Sequence, residues 1–137
     1  MPHDPELVAE ARGWLTKAKA DLDAASFEAT ADPPFVSDMV FHAQQAVEKS
    51  LKAFLTWHQQ PFRKTHNLEE LGEQCLRLDA GIQVVIDRAV PLTEFAWRFR
   101  YPGEPEDPSR EEADDALATA RDVYEAILAR LPEDVRP

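Results

Sequence analysis

Apolar residues recur at three- and four-residue intervals through almost the whole chain, and this periodicity limits the fold more than any other feature of the sequence. Such spacing places apolar side chains on one face of an α-helix. No segment shows the two-residue alternation of a half-buried strand, and no internal repeat is evident. The chain of 137 residues is long enough for one domain with one core. The sequence therefore predicts an all-α fold, an up-and-down bundle of four long helices plus a short helix, in a single domain over residues 1–137.

Capping residues and prolines predict where these helices begin and end. Asp32 precedes two prolines and is a plausible N-cap, while Asn67 and Ser109 each have a glutamate three residues later. Pro91 removes a backbone hydrogen bond from its helix, so a kink or a break is expected there. The expected segments are a first helix with an apolar stripe from residue 7 to 25, a second over about 35–58, a short third over about 68–78, a fourth over about 82–100 and a last over about 110–131. A frayed tail is expected from about residue 132.

The distribution of charge indicates where an anion could bind. The net charge of −11 argues against strong attraction of nucleic acid by the chain as a whole. Residues 41–100, however, carry eight basic and seven acidic side chains, while both flanking segments are strongly acidic. An anion site is therefore expected in the middle of the chain.

The remaining composition favours a cytoplasmic protein. No run is apolar and long enough to cross a bilayer, and the first residues lack the character of a signal peptide. The single cysteine, Cys75, lies in a helical pattern and is expected to be a small core residue rather than a nucleophile. One cysteine without a disulfide partner fits a reducing compartment. We therefore expect a cytoplasmic chain without membrane association.

The segment FHAQQAVEKSLKAFL, residues 41–55, combines a helical core pattern with a polar stripe. At about 100° per residue, four polar residues fall within one arc opposite the apolar face; they are His42, Gln45, Lys49 and Lys52. Apolar or small residues cover most of the remaining circumference, which is typical of a central helix. The stripe is then a solvated face, a groove or a dimer seam, and the pattern leaves all three open.

Two short clusters of cations and aromatic residues add to this stripe. RKTH covers residues 63–66 and RFRY covers residues 98–101, in a chain that is otherwise acidic. An arginine beside an aromatic ring can hold a phosphate and stack on a base, which makes Arg98, Arg100 and Tyr101 candidates for the same site. The alternative is that Arg98 and Arg100 offset the dipole at the end of the fourth helix. Both roles are compatible.

No cofactor or metal is expected from the sequence. The four histidines do not form a metal-binding motif such as HExxH, and there is no glycine-rich phosphate loop. The acidic pairs at 111–112 and 114–115 open a predicted helix, where carboxylates suit the helix dipole. These acidic residues are expected to be solvated.

The order and spacing of HAQQAVEK, THNLEEL and FRYPG resemble those of the HEPN family, the higher eukaryote and prokaryote nucleotide-binding domain. The resemblance runs from KAKADLDAA in the first helix to EEADDALATARDVYEAIL in the last. It implies an up-and-down helical bundle that commonly forms a homodimer and is linked to nucleotides or RNA. It also implies pairing with a separately encoded minimal nucleotidyltransferase, as in toxin–antitoxin systems.

Many HEPN proteins are metal-independent ribonucleases whose motif is an arginine, four to six residues and a histidine. This chain departs from that motif, because no arginine is followed by a histidine at that spacing and no histidine follows His66. The usual proton carrier for cleavage at the RNA 2′-hydroxyl is therefore missing.

Three functions are compatible with these features. The leading hypothesis is a non-catalytic module that binds a nucleotide or RNA phosphate and pairs with a nucleotidyltransferase. The second is a divergent ribonuclease toxin, with Arg100 on the phosphate and His42 as proton carrier. The third is a pure assembly module whose polar stripe is a hydrated dimer seam.

Overall fold

The fold was analysed in a computed structural model, which describes residues 2–103 and 106–137. Five α-helices are found in these ranges and no strand: α1 (Pro5–Ala29), α2 (Val36–Trp57), α3 (Leu68–Leu78), α4 (Gln83–Ala89) and α5 (Arg110–Leu128). Three 3-10 segments lie at Ala80–Ile82, Val90–Ala96 and Glu133–Val135. The predicted all-α helical bundle is confirmed.

Helix α2 is the centre of the bundle. It packs mainly against α1 and α5, and also against α3 and the 3-10 segment that follows α4. The small residues on one of its flanks, Ala46, Ser50 and Ala53, are fully buried within this single chain. Small side chains at that spacing let neighbouring helices approach α2 closely.

The fourth segment breaks where the proline predicts. Its α-helical part ends at Ala89, and a 3-10 turn with Pro91 near its start continues to Ala96. Proline has no N–H to donate to the preceding turn, so the α-helical hydrogen bonding cannot continue through it. As a result, residues 98–101 lie in a loop and not in the last turn of a long helix.

Two of the three predicted N-caps are confirmed. Asn67 Oδ1 accepts hydrogen bonds from the N–H groups of Glu69 and Glu70, and Ser109 Oγ accepts one from the N–H of Glu112. The prediction for Asp32 was wrong, because α2 begins at Val36 and no side chain caps it. A residue that precedes proline is disfavoured in the α conformation, so the first helical turn forms only after Pro34.

The C-terminal tail is packed, contrary to the expectation that it frays. Val135 is fully buried, and the Asp134 carbonyl oxygen accepts a hydrogen bond from the guanidinium of Arg12 on α1. Arg136 Nη2 donates to the Leu128 carbonyl oxygen at 3.0 Å. One buried apolar residue and two backbone contacts therefore hold the chain end against the bundle.

The prediction that Cys75 is a core residue is confirmed. The side chain is fully buried between α3 and α2, with Sγ 3.7 Å from the Leu51 carbonyl oxygen. Burial raises the pKa of the thiol to about 12. Within the two described ranges, no helix is both long and apolar enough to cross a membrane.

Candidate functional site

The polar stripe of α2 faces α1, where two carboxylates meet a lysine and a histidine of the stripe. Lys49 Nζ lies 2.7 Å from Asp21 Oδ2, and His42 Nδ1 lies 2.8 Å from Glu28 Oε1. The numbering rises on α2 as it falls on α1, so the two helices are antiparallel. All four side chains are no more than 25% exposed. This part of the stripe therefore forms an ion-paired seam within one chain.

The other two stripe residues have partners on α2 itself. Gln45 Nε2 donates to Gln44 Oε1 at 2.6 Å, and Lys52 Nζ donates to Glu48 Oε2 at 2.9 Å. Lys52 is only 7% exposed. A buried ammonium group needs a carboxylate nearby, and Glu48 supplies it.

Glu48 is the centre of a buried polar network that the sequence analysis did not single out. Besides Lys52, its carboxylate accepts a hydrogen bond from Gln44 Nε2 at 3.3 Å and lies 2.7 Å from His66 Nδ1. Gln44 also donates to the His66 carbonyl oxygen at 3.2 Å. The network thus fastens the connector between α2 and α3 onto α2. The sequence indicates this network through Gln44, Glu48 and Lys52, which are spaced four residues apart and therefore lie one helical turn from each other.

Arg100 lies at the beginning of α2. Its guanidinium carbon sits 3.8 Å from the centroid of the Phe41 ring, a close cation–π stack. The Phe41 ring in turn contacts the His42 ring, with centroids 5.5 Å apart. A recess of about 190 Å³ beside Arg100 is lined by Ser37, Asp38, Phe99 and Arg100. Arginine, aromatic ring and imidazole are therefore grouped at one end of the bundle.

The other two candidates of the RFRY cluster take different environments. Arg98 Nη1 lies 2.6 Å from Glu94 Oε1, one turn earlier, and its guanidinium carbon lies 5.0 Å from the Phe99 ring centroid. Tyr101 is 63% exposed. Arg98 is thus already paired with a carboxylate, whereas Tyr101 is open to solvent.

The seven predicted site residues therefore do not form one cluster. Arg100 reaches the first turns of α2, where the Phe41 ring contacts both the Arg100 guanidinium and the His42 ring. Lys52 lies ten residues further along α2, which is about 15 Å at 1.5 Å per residue. A single phosphate cannot contact both ends of the stripe.

The described residues include oriented imidazoles that suit acid–base chemistry, but no metal-binding group was found among them. The described residues contain three carboxylate–imidazole pairs, Asp134–His3, Glu28–His42 and Glu48–His66. A carboxylate on Nδ1 fixes the orientation of the ring and leaves Nε2 for another partner. Within residues 2–103 and 106–137, no group of three or more His, Cys, Asp or Glu side chains could hold a metal ion.

The fold and these contacts define an all-helical bundle with a central helix, an ion-paired seam and an arginine–aromatic cluster at one end. A family model for the HEPN domain matches residues 11–131, nearly the whole chain, and the chain therefore belongs to the HEPN family. Comparison with the curated proteins gave no significant match, nor did comparison with the solved structures.

Proposed function

We propose that this HEPN-family chain is a non-catalytic module that binds a phosphate group of a nucleotide or RNA at the Arg100 end of the bundle. It acts as a homodimer and pairs with a minimal nucleotidyltransferase, as in toxin–antitoxin-like systems. The HEPN match supports the general class, a module related to nucleotides or RNA. The homodimer and the nucleotidyltransferase partner rest on the family resemblance, and the Arg100 site is our inference from the geometry.

The stack of Arg100 on Phe41 is the observation that carries this proposal. The guanidinium carbon of Arg100 lies 3.8 Å from the centroid of the Phe41 ring, so the ring covers one side of the group. This contact fixes the orientation of the guanidinium, whose N–H donors point outward in its plane. Within residues 2–103 and 106–137, no carboxylate lies within salt-bridge distance of this guanidinium. Such an oriented arginine can donate two parallel hydrogen bonds to one phosphate. The exposed ring of Tyr101, one residue later, offers a surface on which a base can stack.

The polar stripe contributes unequally to this site. His42 touches Phe41 and therefore lies close enough to assist Arg100. Lys49, Lys52 and Arg98 already face carboxylates at 2.6–2.9 Å, so a phosphate would have to compete with these carboxylates. Gln45, which is bonded to Gln44, carries no charge. Arg100 is therefore expected to contribute more to binding than the stripe.

The surface for self-association or for a partner is expected at the same end. The flank of α2 that carries the small residues Ala46, Ser50 and Ala53 is already buried within the chain. Four aromatic side chains are instead exposed, Phe27, Phe35, Trp97 and Tyr101, at 76%, 57%, 47% and 63%. Exposed aromatic residues of this kind are typical of protein interfaces.

Ribonuclease activity remains the second candidate, and one contact favours it. Glu28 orients His42 through Nδ1 at 2.8 Å, so Nε2 is available to move a proton beside Arg100. We rank this function lower because a single histidine at this end would have to serve as both acid and base.

Fluorescence anisotropy with a labelled single-stranded oligoribonucleotide carrying a 5′-hydroxyl tests the proposal. Arg100→Ala removes a charge-assisted hydrogen bond, so affinity is expected to fall about tenfold or more. Asp38→Asn removes a negative charge from the same recess and is expected to strengthen binding. Arg77→Ala, an exposed arginine on α3, is the matched control and should change the affinity little.

Two outcomes would contradict the proposal. If wild-type protein does not bind the oligoribonucleotide, or if Arg100→Ala and Arg77→Ala bind alike, the Arg100 end is not a phosphate site. Cleavage of the RNA without metal that is lost in His42→Ala would instead establish the ribonuclease.

A further inference from the structure

A groove with an apolar floor lies between α3 and α4. It has a volume of about 350 Å³ and is lined by residues of both helices and of the 3-10 turn that follows α4. In its floor Ile86 is 3% exposed, Leu76 and Val90 are partly buried, and Pro91 is exposed. Gly72 lets α4 come this close to α3, because a Cβ there would lie 2.7 Å from Ile86 Cγ2. We call this surface the α3–α4 groove.

The rim of the α3–α4 groove is acidic. Glu69 and Glu73 stand on the α3 side and Asp87 on the α4 side, and all three are exposed. Gln83 Nε2 donates to Asp87 Oδ1 at 2.7 Å, a contact that orients this carboxylate without neutralising it. Among the described residues, no lysine, arginine or histidine lines the groove. The rim therefore carries negative charge without a cation of its own.

The arginines of this part of the chain are engaged elsewhere. Arg88 Nη1 lies 2.9 Å from Asp122 Oδ2 on α5, and Arg63 Nε lies 2.9 Å from Glu70 Oε1. Arg77 lines another cavity, which lies between α3 and the connector that precedes it. In the part of the chain that the structure describes, the three rim carboxylates form no salt bridge. Cations brought by a partner would find these carboxylates available.

The chemistry of the groove decides what can occupy it. An apolar floor between unpaired carboxylates is complementary to a segment that carries aliphatic residues between lysines or arginines. A second copy of this chain is a poor fit here, because each copy has a net charge of −11 and would bring like charges together. The charge therefore favours a basic partner.

The dimensions and the walls of the groove favour a helical segment. The walls run from Glu69 to Leu76 and from Gln83 to Val90, and seven residues of helix span about 10 Å, or two turns. Both described walls are helical, so their backbone groups pair along the helices and offer no strand edge to an extended peptide. A docked helix satisfies its own backbone and needs only side-chain contacts. We propose that the α3–α4 groove docks an amphipathic helix of a partner protein, with aliphatic residues against Leu76, Ile86 and Val90 and with lysines or arginines beside the rim carboxylates.

Fluorescence anisotropy of the full chain with a labelled synthetic helix tests the inference. The probe is a hydrocarbon-stapled peptide of about 14 residues, or four helical turns, with a stripe of leucines flanked by lysines. The same peptide with glutamates in place of lysines, and a scrambled lysine peptide without the stripe, are the comparison probes. The lysine helix is expected to bind at least about tenfold more tightly than either, because only it matches both floor and rim. Added salt should weaken this binding without abolishing it, since salt does not screen the apolar contact.

Variants and NMR locate the peptide on the chain. Glu73→Lys reverses an exposed rim charge and is expected to weaken binding about fivefold or more. Glu125→Lys makes the same change at an exposed position of α5 outside the groove, so it is the matched control for net charge and should have little effect. Leu76→Ala removes part of the floor and is expected to weaken binding about fivefold. In the wild type, amide shifts should change most at residues 69–76 and 83–90, which reports the site without any substitution.

The inference is overturned if the lysine helix does not bind at millimolar concentration, or if the glutamate or scrambled peptide binds equally well. Equal weakening by Glu73→Lys and Glu125→Lys would also overturn it, because the effect would then be general attraction to an acidic chain. Amide changes concentrated at the exposed aromatic residues 97 and 101 would contradict it by placing the helix on another surface. A wild-type dimer that becomes a monomer in Leu76→Ala would assign the groove to a second copy and likewise overturn it.

The inference goes beyond the proposed function and is tested separately from it. The recess beside Arg100 shares no lining residue with the α3–α4 groove. Arg100→Ala is therefore expected to leave binding of the lysine helix unchanged, and a loss of that binding would contradict the inference. Failure of RNA binding bears on the proposed function alone, so the two failures can be told apart.

Discussion

Removing the carboxylate of Glu48 is expected to destabilise the fold strongly. Glu48 is 4% exposed and is bonded to Lys52, His66 and Gln44 at 2.9, 2.7 and 3.3 Å. In Glu48→Ala the buried ammonium of Lys52 loses its counter-charge. Breaking a buried ion pair in this way costs about 3–5 kcal/mol of unfolding free energy. For a chain of this size, that is a fall in Tm of roughly 10–15 °C.

Urea unfolding followed by circular dichroism measures this loss, and Glu10→Ala serves as the control because Glu10 is exposed on α1. A double-mutant cycle separates the ion pair from simple loss of packing. Lys52→Met removes the stranded charge, so Glu48→Ala/Lys52→Met should be less destabilised than the sum of the single variants by about 1–3 kcal/mol. A Glu48→Ala loss below about 1 kcal/mol, or strict additivity in the cycle, would refute the reasoning.

Three further predictions concern packing, pH and assembly. Gly72→Ala should lower the Tm measured by thermal unfolding, because an added Cβ would lie 2.7 Å from Ile86 Cγ2. The cost of overpacking, about 1–3 kcal/mol, outweighs the gain in helix propensity. Hydrogen bonds from the Gly81 N–H and then from Arg130 lower the pKa of Asp79, so its carboxylate stabilises the fold at neutral pH. The Tm of Asp79→Asn should be below that of the wild type at pH 7. The two Tm values should become equal once the pH falls below the native pKa of Asp79. Light scattering at micromolar concentration should give about twice the 15.5 kDa chain mass, and a monomer would contradict the proposed dimer.

The helical segments could be predicted because local signals determine them. Asn67 and Ser109 cap their helices through side chains that sit within three residues of the groups they bind. The break at Pro91 follows from the missing N–H of proline itself. Asp32 failed as a cap because a second local rule, the restriction on residues that precede proline, decides where α2 begins.

The partners of the polar stripe could not be predicted in the same way. Periodicity places His42 and Lys49 on one face of α2, but it does not say which helix that face meets. Asp21 and Glu28 are seven residues apart on α1, as His42 and Lys49 are on α2. This matching spacing is the signal that an antiparallel α1–α2 pair would bring the two carboxylates to His42 and Lys49.

The packed tail and the α3–α4 groove depend on contacts between residues distant in sequence. Val135 is buried although it lies beyond a proline in a charged segment, and the Arg12 contact spans 122 residues. Leu76 and Val90 line one groove because Ile86 packs against Gly72 and holds α4 beside α3. No local pattern reports such contacts, so tertiary structure was needed to find them.

The location of RNA on the protein tests the central proposal most directly. Amide chemical shifts measured by NMR during titration with a short 5′-hydroxyl oligoribonucleotide report the backbone positions other than proline in one experiment. The account predicts the largest changes at residues 37–42 and 98–101, around the stack of Arg100 on Phe41, and their loss in Arg100→Ala. Changes concentrated elsewhere on the bundle, or none at saturating RNA, would contradict it.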